Sequence, residues 1–82
     1  MHEVAVAGGI LDAVRVEIAA RKPARAVKVG IRIGVMAGID PESLAFCFEA
    51  LVKGTDLEPL ELETERGSAD DLEFCYLELE PI

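Results

Sequence analysis

The sequence is poor in the residues from which most catalytic sites are built. Its 82 residues include one histidine, two cysteines, three phenylalanines, one tyrosine and no tryptophan. There is no second histidine, no lysine or serine in a nucleophile-like context and no phosphate-cradling glycine loop, which argues against an enzyme. The longest apolar stretch, residues 4–11, is far shorter than the roughly 20 residues that span a bilayer, and no basic leader precedes it. We expect an unsecreted cytoplasmic protein with no membrane partner.

The two cysteines, Cys47 and Cys75, lie 28 residues apart. Neither belongs to a CxxC pair, and both stand in apolar sequence, which is typical of reduced, buried side chains and not of a disulfide framework. We expect Cys47 to lie in a helical core and Cys75 to lie either in the core or at a strand bulge. Reduced thiols are consistent with a cytoplasmic location.

Basic residues are scarce in the second half of the chain. The formal net charge is −8; residues 1–39 hold six basic and three acidic groups, whereas residues 40–82 hold two and thirteen. This imbalance makes nucleic acid a poor candidate partner. The acidic half is interpreted as a solvated face, with attraction of cations or of a basic protein surface as the alternative.

Two helices are predicted from apolar residues at three- and four-residue spacing. The first runs from residue 3 to about residue 21, although Gly8 and Gly9 should each weaken it by about 1 kcal/mol relative to alanine. The second follows Asp40, which can cap it, with Pro41 at its first position. The residues predicted to be buried are Val4, Ala7, Leu11, Val14 and Ile18 on the first helix, and Leu44, Cys47, Phe48 and Leu51 on the second.

Three strands are predicted from two-residue alternation. In residues 27–35 the apolar residues Val27, Val29, Ile31, Ile33 and Val35 share one face. In residues 60–65 leucine and threonine alternate with glutamates, which we expect to lie opposite Lys28 and Arg32. The third strand begins near Leu72. Its apolar residues Leu72 and Phe74 are in one phase of the alternation and Leu77 and Leu79 in the other, so a bulge near Cys75-Tyr76 is required to keep both pairs inward.

These elements predict an α+β fold for a single domain, residues 1–82, in the order α-β-α-β-β. Both helices should cover one face of a three-stranded, mostly antiparallel sheet and leave the other face to water. The connecting segment, residues 66–71, is short and polar, which favours a hairpin between the second and third strands. The order of strands in the sheet is not determined by the pattern.

The only histidine, His2, stands next to the start of the chain. The Met1 amine, the His2 amide nitrogen and the His2 ring can close fused chelate rings around one metal ion, and the Glu3 amide can complete a plane of four nitrogens. Such a square-planar nitrogen set suits Ni(II) or Cu(II) and not Zn(II), which prefers a tetrahedron of nitrogen and sulfur ligands. Methionine before a bulky imidazole is expected to be retained, and the first helix gives the chelate an ordered support.

Two simpler interpretations stand beside this metal site. The plain interpretation of His2 is that it is simply a solvated residue, and Asp40 is explained first as a helix cap. If the second helix starts near the beginning of the chain, Asp40 becomes an additional oxygen ligand.

The residues of several segments resemble one family. Met1-His2-Glu3, the strand around Ile33-Gly34, residues 41–55 (PESLAFCFEALVKGT) and the alternating Leu-Glu runs at residues 60–63 and 77–80 are similar to the HypA/HybF nickel metallochaperones. This resemblance covers nearly the whole chain. It implies a non-enzymatic accessory protein that binds Ni(II) through Met1, His2 and Glu3, with Asp40 as a further candidate, for the maturation of nickel–iron hydrogenase or urease.

The resemblance also implies partners and one departure. The implied partners are a GTPase accessory protein and the hydrogenase large subunit, and we expect a monomer or a weak homodimer. The family inserts a zinc-binding unit with two CxxC pairs between its last two strands, where this chain has only residues 66–71 (RGSADD). No structural zinc is therefore expected. The alternative function is a metal-free interaction module that associates through an exposed strand edge.

Overall fold

The computed structural model describes residues 2–82, and its elements follow the predicted order. Helix α1 (Glu3–Ala20) is followed by strand β1 (Ala24–Gly34), helix α2 (Pro41–Val52), strand β2 (Glu61–Gly67) and strand β3 (Leu72–Pro81). Both helices contribute to a single apolar core with the sheet. The predicted α+β class with two helices and three strands is confirmed. None of the helices in this part of the chain is long and apolar enough to cross a membrane.

The sheet is mixed, which corrects the prediction of a mostly antiparallel one. Its strand order is β2-β1-β3, with β1 parallel to β2 and antiparallel to β3. The parallel pairing follows from the connection between β1 and β2, because α2 carries the chain back along the sheet before β2 begins. Strand β3 then pairs with the side of β1 that β2 does not occupy.

The predicted hairpin between β2 and β3 is also wrong, because these strands lie on opposite sides of β1. Residues 68–71 instead cross the end of β1, where the Gly34 N–H donates to the Asp71 carbonyl at 2.8 Å and the Met36 N–H donates to the Ala69 carbonyl at 2.7 Å. The strand richest in buried apolar residues takes the centre of the sheet, and the acid-rich strands take its two edges.

In β1, the predicted inward residues Val29, Ile31 and Ile33 are buried. The register shifts between Ala26 and Lys28, so that Ala26 is buried in place of the predicted Val27, which is only half-buried. The prediction for Val35 is wrong, since it lies beyond the strand and is 64% exposed. The register shift on the central strand moves the buried face by one residue before Lys28, and a strict two-residue alternation cannot predict such a shift.

The helices bury most of the predicted residues. On α1, Ala7, Leu11 and Val14 are buried as expected and Ile10 joins them, whereas Val4 is exposed and Ile18 only partly buried. On α2, Leu44 and Phe48 are buried and Cys47 is half-buried. The last buried residue of α2 is Val52 and not Leu51, which is 40% exposed.

The bulge predicted in β3 is confirmed. Gly30 pairs with Tyr76 and Ile31 pairs with Phe74, so that Cys75 has no partner in the register. Cys75 is exposed and reduced, and the alternative placement of its side chain in the core is wrong. Leu77 and Leu79 on one side of the bulge pack against the core. The extra residue keeps Phe74 on the helix-covered face with Ile31.

The open face of the sheet carries the predicted cross-strand charges. The Arg32 Nη2 lies 2.9 Å from Glu65 Oε1, and its Nη1 lies 3.5 Å from Glu73 Oε2, so this guanidinium bridges both edge strands. The Lys28 Nζ lies 3.9 Å from the Glu63 Oε2. These groups are substantially exposed, so solvent screens the pairs and each is expected to contribute little to stability.

Two glycines of β1 allow close approaches that a larger residue would prevent. The Tyr76 ring lies directly over Gly30, and its hydroxyl donates to the Glu63 carboxylate, which raises the pKa of Tyr76 to about 12. At Gly34, an added Cβ would lie 2.2 Å from the Ala69 carbonyl oxygen. A side chain can rotate away, but a backbone carbonyl in a tight crossing cannot move without breaking its hydrogen bonds.

We predict that Gly34→Ala destabilises the protein by about 1–3 kcal/mol, the usual range for forced overpacking. The added methyl must push the 68–71 crossing away from the end of β1. Urea unfolding followed by circular dichroism measures this change.

The matched control is Gly8→Ala, because a Cβ at Gly8 meets nothing within 4 Å. This substitution in a helix interior should stabilise by about 1 kcal/mol. Equal stability of Gly34→Ala and the parent chain would show that the crossing does not depend on Gly34.

Candidate metal centre

His2 is an exposed residue that directly precedes α1. It takes the N-cap position with an extended backbone, φ −85° and ψ 112°, and its carbonyl accepts the Val6 N–H at 3.2 Å. Its side chain makes no capping hydrogen bond. The imidazole is therefore not used to hold the helix start and is open to solvent.

Glu3 is the first residue of α1, and its carboxylate connects the two helix starts. Its Oε2 accepts the backbone N–H of Asp40 at 3.1 Å. This hydrogen bond, together with a weaker one from the N–H of Glu3 itself, lowers the pKa of the Glu3 carboxyl from its ordinary value. The start of α1 is thus held against the start of α2.

Asp40 is the N-cap of α2, as predicted. Its Oδ1 accepts the Glu42 N–H at 3.2 Å, and its Oδ2 accepts the Ser43 hydroxyl at 2.9 Å. Both carboxylate oxygens are therefore occupied in capping. The contact with Glu3 places Asp40 beside the start of α1, which was the condition for Asp40 to approach a metal bound there.

The backbone nitrogens at the start of α1 differ from those further along the helix. The first N–H groups of a helix have no intrahelical acceptor, because the carbonyls four residues earlier do not exist in the helix. His2 and Glu3 occupy these positions, and the first helical bond of this region is donated by Val6. A ligand that takes the His2 and Glu3 amide nitrogens would leave the helical hydrogen bonds in place.

The predicted Met1 ligand lies outside the described residues. Within residues 2–82, no three side chains of His, Cys, Asp or Glu come together in a group that could hold a metal ion. The candidate site rests mainly on main-chain nitrogens and one imidazole.

Sequence reasoning missed the structural role of the Glu3 side chain. The prediction used only its amide, yet its carboxylate is the group that joins the two helix starts. The sequence has no signal for this contact, because its acceptor and donor are 37 residues apart and the donor is a backbone N–H.

Comparison with known proteins gives a consistent result. Residues 1–75 match the family model described as hydrogenase/urease nickel incorporation, metallochaperone, hypA. Three relatives are each named hydrogenase maturation factor HypA. The one from Chlorobium limicola is 44% identical over 69 residues, which cover 84% of this chain and 60% of the relative. Those from Azotobacter chroococcum and Methanopyrus kandleri are 40% and 41% identical, and the matches cover 77% and 82% of this chain.

The chain spans between 49% and 60% of the length of these three relatives. The family model nevertheless covers all of the candidate site, from the first residue through α2 and into β3. The chain belongs to the HypA family of hydrogenase/urease nickel-incorporation metallochaperones.

Proposed function

We propose that this chain binds Ni(II) at its amino terminus as cargo and delivers it, in the cytoplasm, for the maturation of nickel–iron hydrogenase or urease. The ligands are the Met1 amine, the His2 amide and ring nitrogens, and the Glu3 amide. The observation that carries the proposal is His2, whose side chain is exposed and unused at the start of an ordered helix.

The electrostatics of a helix start bear on this proposal. The N-terminal end of a helix carries a partial positive charge and repels a bare cation. Ni(II) bound through two deprotonated amides adds no positive charge there, because two amide protons leave as the ion enters and the Met1 amine, where it starts as the ammonium, releases one more. The Glu3 carboxylate adds negative charge beside the site. A complex with two deprotonated amides, which carries no net charge, therefore suits the helix start better than the positively charged complex that uncharged ligands would form.

Asp40 remains a secondary candidate in this proposal. Its carboxylate already accepts two hydrogen bonds from α2, and each oxygen keeps a further lone pair for a metal or a metal-bound water. We assign it the role of a cap that holds the α2 start, and with it Glu3, beside the ion.

Transfer requires a site that a recipient can reach. A chelate at the end of the chain, with an exposed imidazole, can be approached by the ligands of another protein and released one donor at a time. The GTPase accessory protein and the hydrogenase large subunit are the proposed partners, in keeping with the family description that names hydrogenase and urease nickel incorporation.

We further propose that residues 1–82 act as a single nickel-binding domain, and that residues 66–71 stand where the family carries its zinc-binding unit. A zinc site of two CxxC pairs needs four thiolates, and this sequence has two cysteines, one on α2 and one on β3. The residues present do not fit that zinc unit. The 68–71 crossing is instead fastened to the end of β1 by backbone hydrogen bonds.

We predict that two glycines added before Met1 lower Ni(II) affinity at least about tenfold, because losing a ligand should cost no less than losing an outer-shell partner. Two residues are used because a single one would make the histidine third in the chain, where the amine, two amides and the ring close a new plane of four nitrogens. The extension moves the amine away from His2 without changing any side chain. Titration of untagged protein with Ni(II), followed by the visible absorbance of a square-planar complex, measures the effect.

His2→Gln is the companion variant and should abolish that absorbance. The matched control is two glycines added after Ile82, at the other end of the chain, which should leave the titration unchanged. Undiminished binding by both the extended chain and His2→Gln would overturn the proposed ligand set.

Ni(II) binding should weaken steeply when the pH falls from about 7.5 to about 5.5, because protons compete with the metal for imidazole, amine and amide nitrogens. The same absorbance titration at several pH values measures this dependence. An affinity that stays constant over this interval would exclude nitrogen coordination of this kind.

Glu3→Gln should keep the square-planar absorbance, because the proposed ligand is the Glu3 amide and not its carboxylate. The substitution should nevertheless lower the free energy of unfolding at neutral pH, where the ionised carboxylate accepts the Asp40 N–H. Since the folded-state pKa is depressed, this contribution is present above the ordinary value of 4.5 and is lost as the pH falls through the folded-state pKa.

Urea unfolding at neutral and acid pH measures this second effect. The two chains should differ at pH 7 and converge in acid. Loss of the nickel absorbance in Glu3→Gln, with folding intact, would place the carboxylate among the ligands.

A further inference from the structure

Strand β3 is the longer of the two sheet edges. It has 10 residues against 7 in β2, and it pairs with β1 on one side only. The backbone groups on its other side have no strand partner within residues 2–82. Such an edge is a template for an added strand unless the fold covers or blocks it.

The helices leave this edge uncovered. Two adjoining depressions, of about 560 and 310 Å³, run between α1 and β3 and share Ala13 and Phe74 in their walls. Together they form a groove that we call the β3 groove. Exposed apolar side chains line it, including Val16 on α1, which is 66% exposed, and Leu72 on β3, which is 42% exposed. An unpaired backbone edge therefore lies beside an apolar groove.

The β2 edge of the sheet exposes less apolar surface than the β3 edge. Helix α2 packs on β2, where Leu60 just before the strand and Phe48 on the helix are buried. By contrast, Phe74 on β3 is 39% exposed although it faces α1. More apolar surface is thus available to a ligand along β3 than along β2.

The charges of β3 define the chemistry of its ligand. The strand carries Glu73, Glu78 and Glu80 and no basic residue. Glu73 and Glu80 are paired with Arg32 and Arg25 of β1, while Glu78 has no ion pair in the described part of the chain. An incoming strand with basic residues on the open face would meet these acids.

We propose that the β3 groove binds an extended segment of a partner protein in which apolar and basic residues alternate. The segment adds to the sheet as a fourth strand beside β3. Its apolar side chains enter the groove against Val16 and Phe74, and its lysines or arginines lie on the open face beside Glu78. Alternation is required because successive side chains of a strand point to opposite faces.

A second copy of this chain fits this edge poorly. Antiparallel pairing of β3 with itself sets acidic residues against acidic residues, because the strand has no base to place opposite them. Like charges directly opposite each other across a strand pair are destabilising. Charge complementarity therefore favours a basic partner over self-association.

The experiment uses the full chain and an end-blocked octapeptide that alternates valine and lysine. Binding is measured by fluorescence anisotropy of the labelled peptide, and the contact surface is mapped by amide chemical shifts of the protein. Binding with shifts concentrated on β3 and the facing side of α1 is expected. A peptide of the same composition with paired valines and paired lysines keeps the charge but has no separate faces, and it should bind at least about tenfold more weakly.

Two protein variants test the groove and its charge separately. Val16→Lys places a cation in the groove and should weaken peptide binding at least about tenfold. Phe46→Lys, which also replaces an exposed apolar residue by lysine but on α2, should have little effect. Glu78→Lys should weaken binding, and Glu49→Lys on α2 is its matched control. All four sites are exposed, and circular dichroism verifies that each variant is folded.

Several results would overturn the proposal. These are equal binding of the two peptides, shifts centred on β2, equal losses in each variant and its control, or a dimer formed through β3 that excludes the peptide. None of these measurements involves nickel, so failure here leaves the proposed nickel site untouched.

Discussion

Burial of β1 is the constraint on which the rest of this structure depends. Val29, Ile31 and Ile33 form the most deeply buried strand face among the described residues, and β1 takes the centre of the sheet. The acid-rich strands are left at the edges, where their glutamates reach water. From this placement follow the parallel partner on one side, the antiparallel partner on the other, and the crossing over the end of β1 at Gly34.

The same arrangement brings the two helix starts together. Residues 35–40 lead from the end of β1 directly into α2, and the Asp40 N–H is held by Glu3 at the start of α1. One hydrogen bond therefore joins the first ordered turn of the chain to the α2 cap. The His2 and Glu3 nitrogens of the proposed chelate lie at the start of a helix that this hydrogen bond holds against α2, while the His2 ring is exposed to solvent. Firm support and an open ligand both suit the proposed role, in which nickel is bound and then released.

The sheet order also explains how the acidic residues of the second half of the chain are placed. Along the sequence, the glutamates of residues 61–65 and 73–80 are two separate alternating runs. In the fold they flank one basic strand, and Arg32 bridges both edges through Glu65 and Glu73. The positive charges of β1 are used in pairs with glutamates of the two edge strands, so within the described residues Glu78 is the acid of β3 that remains for a neighbouring molecule.

The sequence by itself determined the elements, their order, the N-cap of α2, the bulge at Cys75 and the family resemblance, because each depends on residues close together in the chain. It also placed the candidate metal ligands at the amino terminus, which remains a prediction. Only the tertiary structure decided the strand order, the mixed sheet, the exposure of Val35 and the contact between Glu3 and Asp40. These features depend on which apolar face competes best for the core and on backbone groups far apart in sequence, and no local pattern encodes that competition.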